Sequence, residues 1–158
     1  MTNDRMTDDR MTNNRMGSDG MGIVRLVAAV SGVVFLLVGA IGFIPAISPP
    51  ADSVQGMEVA DAAVLGLVPV NVVANIVHLL FGAILLYGAT TTSLAITVLR
   101  GLGIVYLLLA LIGLFADEGF GILPLGGGEL VVHIATALVF LGVGFFLSDR
   151  SGDARAAV

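Results

Sequence analysis

The sequence predicts an all-α integral membrane protein, a four-helix up-down bundle built from two parallel hairpin repeats. Three observations carry that prediction. The first is composition: 57% of the 158 residues are hydrophobic, only 12% are charged, and the mean hydropathy is +1.03. A soluble domain is about a quarter charged. The apolar residues also gather into four long blocks, the mark of membrane spans. The second is a segment that occurs twice. Leu65-Gly66-Leu67-Val68-Pro69-Val70 leads into an apolar run carrying His78, and Phe120-Gly121-Ile122-Leu123-Pro124-Leu125 leads into another carrying His133. Gly66, Pro69 and His78 fall without a gap on Gly121, Pro124 and His133, each 55 positions on. The third is the placement of charge, which gives the bundle a direction.

At the amino terminus, Met1, Met6, Met11, Met16 and Met21 recur every five residues, and Met-Thr-x-x-Arg units end at Arg5, Arg10 and Arg15. A period of five builds neither a helical nor a strand face. Residues 1–23 therefore read as a disordered cytoplasmic tail with pentapeptide repeats, polar and with almost nothing to bury. A duplicated DNA unit upstream of a start at Met16 or Met21 explains it better than a partner-binding arm does.

Span one covers about Val24 to Ile44 and ends near Pro45. Ala46-Ile47-Ser48 loosely resembles a signal-cleavage site, but the apolar stretch exceeds the ~7–15 residues of a signal core. Span two covers about Val68 to Tyr87, span three Ser93 to Ala116, and span four Leu130 to Leu147. Each approaches the ~20 residues that cross ~30 Å of hydrocarbon. Arg100 interrupts span three and is expected to snorkel to the nearer interface. The membrane domain is thus 24–148, with repeat one at 24–89 and repeat two at 93–148, and 149–158 form a second cytoplasmic tail. In the loop 46–66, Pro49-Pro50 stops any helix, and Gly56 to Leu65 is expected to form a short interfacial helix.

All seven basic residues are arginines, and all lie on or beside the side shared by the two termini and the Gly88–Ser93 turn. The other two loops carry Asp52, Glu58, Asp61, Asp117, Glu118 and Glu129 and no basic residue. The positive-inside rule then places both termini in the cytoplasm. The chain has no cysteine, which excludes disulfides, thiolate metal sites and thiol catalysis. A net charge of −5 without a basic patch argues against nucleic-acid binding. The lack of lysine and the abundance of Ala, Gly, Val and Asp fit a GC-rich genome.

Each repeat holds two spans, so both copies insert in the same direction and their pseudo-two-fold axis lies along the membrane normal. His78 and His133 are then expected at similar depth, nine residues past Pro69 and Pro124, or about 10–13 Å below the outer mouth. Leu65–Gly82, Arg100–Leu109 and Phe120–Leu125 resemble the domain of unknown function numbered four-three-eight-three, a family of small four-span prokaryotic membrane proteins. The resemblance covers about Arg25 to Leu147. Its Asn-x-x-His-Leu element matches Asn75, His78 and Leu79, whereas the second copy has Leu130 and Ile134 at the corresponding places. It supports the architecture and brings no activity.

Asn71, Asn75, His78 and Gly82 share one face of the second span, and Glu129 and His133 share one face of the fourth. Polar groups are costly in lipid, so these faces should point into the bundle. Three uses compete. The leading one is interhelical polar bonding by Asn71, Asn75, His78, Glu129 and His133, which implies no cofactor and no metal. The second is haem ligation by His78 and His133, or a zinc site that adds Glu129. The third is a proton or small-solute path through Glu129, His133, His78 and Asn75. Ala28, Gly32, Gly39 and Gly42 form a small-residue stripe for close helix packing, and Gly126-Gly127-Gly128 reads as a turn before span four, not a phosphate loop. No nucleophile has a base positioned beside it, so no enzyme is expected. The leading expectation is a structural or interaction protein of the cytoplasmic membrane. Its partners would be the bilayer and possible further copies or another membrane protein. A small transporter and a redox anchor are the alternatives.

Overall fold

The computed structural model describes residues 3–50, 56 and 58–147, with side chains described from Gly20 onward. The polar tail from Asn3 shares its helix with span one: α1 runs Asn3–Ile41. The tail was expected to be disordered. Once an apolar span supplies a helical nucleus, a flank without proline extends it at small cost per residue. The tail 149–158, with Arg150 and Arg155, and the loop residues Asp52 and Ser53 lie outside the described residues.

α1 stops four residues before Pro45, whose ring would clash with the carbonyl of Ile41 and which cannot bond to it. Ile44 N (2.8 Å) and Ser48 Oγ (3.1 Å) bond that carbonyl instead. The expected short helix at Gly56–Leu65 is replaced by a β-hairpin, β1 (Ala62–Val64) pairing antiparallel with β2 (Val68–Val70). Valines at 64, 68 and 70 favour strand, and Leu65 (φ 53°) and Gly66 (φ 71°) supply the two positive φ angles of a primed turn. Span two therefore begins as extended chain. Its helix, α2, is Val72–Gly88, 17 residues or about 26 Å long. α3 runs Thr92–Gly113, capped by the Thr91 side chain, which accepts from Leu94 N. A 3-10 turn at Gly119–Gly121 precedes α4 (Gly127–Gly142), which continues as a π turn through Leu147. The glycines expected as a loose turn are instead the N-cap (Gly126) and first turn of α4.

The outward surface is apolar along every helix: Leu26, Val30 and Leu37 on α1, Ile76, Leu80 and Ile84 on α2, Leu108 and Leu111 on α3, Val131 and Leu138 on α4. Three helices, Gly20–Ile41, Thr92–Gly113 and Gly127–Leu147, are long and apolar enough to cross a membrane, and α2 is a shorter apolar helix. Such helices fit a lipid environment, where side chains of this kind gain nothing by hiding from their surroundings.

Close approach between helices comes from small residues. A Cβ on Gly32 would meet Leu86 Cδ2 at 2.9 Å, and one on Gly39 would meet Asn75 O at 2.7 Å and Leu79 N at 2.9 Å. One on Gly82 would meet Leu36 N at 2.8 Å. In the second pair, Gly103 faces Leu141, Gly113 faces Leu125, and Gly144 faces Arg100. In both pairs the partners run in opposite order along the two helices. One apolar core joins Val24 and Ala28 of α1, Leu85 of α2, Ala95, Leu99 and Leu102 of α3, and Phe140 of α4. A second, of Ala62, Val64 and Val70 with Val38 and Ile41, sits where α1 ends and the hairpin begins.

Candidate functional site: a polar cavity among the helices

The polar residues expected to face inward do so, but they take different partners. Asn71 is buried and caps α2: its Oδ1 accepts from Ala74 N at 2.8 Å. Its Nδ2 donates to Val59 O (3.1 Å) and Ile122 O (2.9 Å), so one side chain ties both loops at this end of the molecule. The expected interhelical bond of Asn71 is thus a bond to loops, because its place at the N-cap puts its amide beyond the helical cylinder. Asn75, 2% exposed, lies against Gly39 of α1 and Gly42 just past its end, and its Oδ1 has no partner among the described residues.

His78 and His133 line one cavity. His78 was expected to bond to another helix. It bonds to its own: Nδ1 donates to Ala74 O at 2.8 Å, the reach of a histidine to the carbonyl four residues back. A carbonyl only accepts, so Nδ1 carries the proton, and Nε2 of the neutral ring is an acceptor. Its contact with another helix is with a ring, Phe35 of α1, at 5.5 Å between centroids. His133 is buried, with Nε2 3.5 Å from Glu129 Oε2 one turn earlier. Glu129 is 3% exposed, and neither its Oε1 nor His133 Nδ1 has a partner among the described residues.

The cavity is lined by His78, Tyr106, Glu129 and His133 together with apolar residues such as Leu109 and Leu125, and has a volume of about 30 Å³. That is room on the scale of a single water molecule. No set of three His, Cys, Asp or Glu side chains among the described residues forms a metal-binding group. The haem and zinc alternatives for His78, His133 and Glu129 thus have no supporting observation among the described residues.

Three lining or supporting residues escaped the sequence reading in whole or in part. Tyr106 sits 5.3 Å from the His133 ring and 5.6 Å edge-on from Phe35, joining the two histidine faces through aromatic contacts. A signal for it existed: Gly32-x-x-Phe35 and Gly103-x-x-Tyr106 share one spacing, as do Gly42 and Gly113 further on. The arginines were also underread. Arg25 Nε donates to Ala89 O at 2.9 Å, and Arg100 Nε to Gly144 O at 2.7 Å. Each bonds a carbonyl at the carboxyl end of a helix, where a cation is favoured by the helix dipole. The Arg100 guanidinium also lies 4.3 Å from the Phe145 ring centroid.

Three helices long and apolar enough to cross a membrane place the molecule among helical proteins that fit a lipid environment. The chain belongs to the family described as domain of unknown function DUF4383, which it matches over residues 25–146. No curated protein and no solved structure matches it.

Proposed function

We propose that this chain is a non-enzymatic structural or interaction protein of the cytoplasmic membrane, crossing it four times as an up-down bundle of two hairpin repeats with both termini inside. The observation that carries the structural part is how its polar groups are used. Asn71 caps α2 and ties two loops, and Arg25 and Arg100 bond the ends of α2 and α4. Side chains that are expensive in lipid are spent on holding helices and loops together. The duplicated architecture is supported by local backbone. The only non-glycine residues with positive φ among the described residues are Leu65 and Phe120, each followed by a positive-φ glycine, and α2 and α4 begin at the matching positions 72 and 127. The Arg25 and Arg100 acceptors, Ala89 and Gly144, are also 55 apart. The up-down course is supported by the reversed order of contacts within each helix pair.

The orientation rests on the arginine distribution, and it is tested with single cysteines, which label cleanly in a chain that has none. A cysteine at Ser53 should react with a membrane-impermeant reagent in whole cells, and a reporter fused after Leu147 should be active in the cytoplasm. The opposite pattern reverses the topology. Co-purification in mild detergent tests the interaction role: a defined partner or a homo-oligomer is expected, and a monodisperse monomer that brings no partner counts against it.

A further inference from the structure

The two loops tied together by Asn71 each hold a large apolar side chain in a costly backbone conformation. Leu65 (φ 53°) and Phe120 (φ 60°) lie in the left-handed region, where a bulky residue crowds its own backbone and glycine does not. Burial inside the chain does not compensate: Leu65 is 69% exposed and Phe120 80%. Each is followed by a positive-φ glycine, Gly66 or Gly121, on which a Cβ would meet nothing within 4 Å, so the space around both tips is open. A second exposed aliphatic residue follows in each, Leu67 and Ile122. Backbone strain kept at exposed apolar residues, twice and 55 positions apart, points to a contact made outside the chain.

We propose that the two tips are lipid anchors, with Leu65 and Phe120 seated where headgroups meet acyl chains in the leaflet at this end of the molecule. The proposal rests on the reading that the chain spans the membrane. Three observations select lipid as the occupant. The first is level: the hairpin lies beside the end of α1, since Ala62, Val64 and Val70 pack on Val38 and Ile41 of its last turn. The second is continuity with the apolar outer surface. Leu65 N donates to Ile47 O (3.2 Å), Ile47 N to Ile44 O (3.0 Å) and Ile44 N to Ile41 O (2.8 Å), and Ile44 and Ile47 are exposed. Leu111, Leu114 and Phe115, exposed at the end of α3, lead toward Phe120 in the same way. The third is length: α2, about 26 Å long, is shorter than the ~30 Å of hydrocarbon, and the apolar hairpin at its start fills the remainder. Seated there, both side chains gain the burial that the chain itself does not give them.

The test uses the full-length protein in phosphatidylcholine vesicles, with one nitroxide label at a time on Leu65→Cys, Phe120→Cys or Ile122→Cys. Ile104→Cys, on the exposed face midway along α3, is the reference for lipid. Relaxation of each label by oxygen, which concentrates in lipid, is compared with relaxation by a water-soluble nickel complex. The tip labels should respond more to oxygen than to nickel, as the Ile104 label does. Nickel dominance at the tips with oxygen dominance at Ile104 overturns the proposal and leaves the membrane-spanning reading standing. Nickel dominance at Ile104 as well overturns that reading, and the anchors with it. Tip labels shielded from both reagents reveal a protein cover, either a partner or a second copy, and overturn the proposal too. Should a label at a left-handed position prevent folding, Ile122→Cys, at φ −112°, carries the same comparison.

Discussion

The α1–α2 pair and the α3–α4 pair use related residues for different ends. In both, the second helix begins after an aliphatic-proline-aliphatic segment and carries a histidine, and the first helix places an aromatic ring against that histidine, Phe35 in one pair and Tyr106 in the other. The position one turn before the histidine differs. In α2 it is Ala74, so His78 bonds the bare carbonyl; in α4 it is Glu129, so His133 faces a carboxylate. The caps differ in the same sense. Asn71 completes α2 with its side chain, whereas Gly126 begins α4 with none. The first pair spends Asn71 and His78 on bonds and leaves Asn75 Oδ1 without a partner among the described residues, and the second leaves Glu129 Oε1 and His133 Nδ1 without one. Where two halves share a framework, the residues that break the correspondence are the ones to examine for function, and here they are Glu129 and Tyr106.

The largest expected effect tests whether the two pairs are equally close-packed. A methyl at Gly39 would press on backbone atoms of Asn75 and Leu79, at 2.7 and 2.9 Å, which no rotamer change relieves. A methyl at Gly103 would meet chiefly the side chain of Leu141, at 2.8 Å, which can turn aside. Gly39→Ala should therefore destabilise the fold by about 2–3 kcal/mol and Gly103→Ala by about 1 kcal/mol or less. Unfolding of both variants in mixed micelles measures the gap, and equal losses would show that the two pairs pack alike.

The next effect separates fastening from filling within α2. Asn71→Ala removes a helix cap and two loop bonds at once and should cost about 1–3 kcal/mol. His78→Leu removes a bond to a carbonyl of its own helix and should cost less than about 1 kcal/mol. A greater loss at His78 than at Asn71 would mean that the ring is held by more than Phe35 and Ala74, and the difference between the halves would narrow.

These contrasts mark what was legible in the sequence. Three long apolar helices were, because a run of apolar residues has few alternatives once it is long enough, and the expected second span is a shorter helix. The shared cavity of His78 and His133 was legible from the spacing of the duplicated segment. The hairpin at Ala62–Val70 was not: strands of three residues leave too short a pattern to separate from the apolar run that follows. The cap role of Asn71 was masked for the same reason. An asparagine at the start of a helix is a boundary signal, but here apolar residues precede it as well as follow it. Tyr106 was passed over because a tyrosine in an apolar helix has no partner visible along the chain, and its ring contacts come from other helices.

A smaller effect concerns the tail. Starting translation at Met21 removes the pentapeptide units and leaves Val24 and Ala28, the first buried residues of α1, in place. Membrane insertion should be unchanged and thermal stability altered by less than about 0.5 kcal/mol, the range of changes that touch no packed group. A marked drop in folded yield would show that the helical extension from Asn3 supports the span.

The smallest effect examines the surface that neither helix pair covers. Gly101 is exposed on α3, and a Cβ there would meet nothing within 4 Å. Inside one copy of the chain, then, nothing opposes a methyl group, and the greater helix propensity of alanine should make Gly101→Ala neutral or more stable by up to about 1 kcal/mol. The same site has Arg100 before it, bonded across to Gly144, so the orientation of α3 at this point is fixed and Gly101 cannot turn inward without breaking that bond. The substitution is therefore a probe of what lies outside. If lipid covers this face, stability rises or holds and the oligomeric state in mild detergent is unchanged. If a second copy packs against it, the methyl group intrudes on a helix contact that a glycine permits, and dissociation on dilution or loss of a cross-linked species reveals the interface.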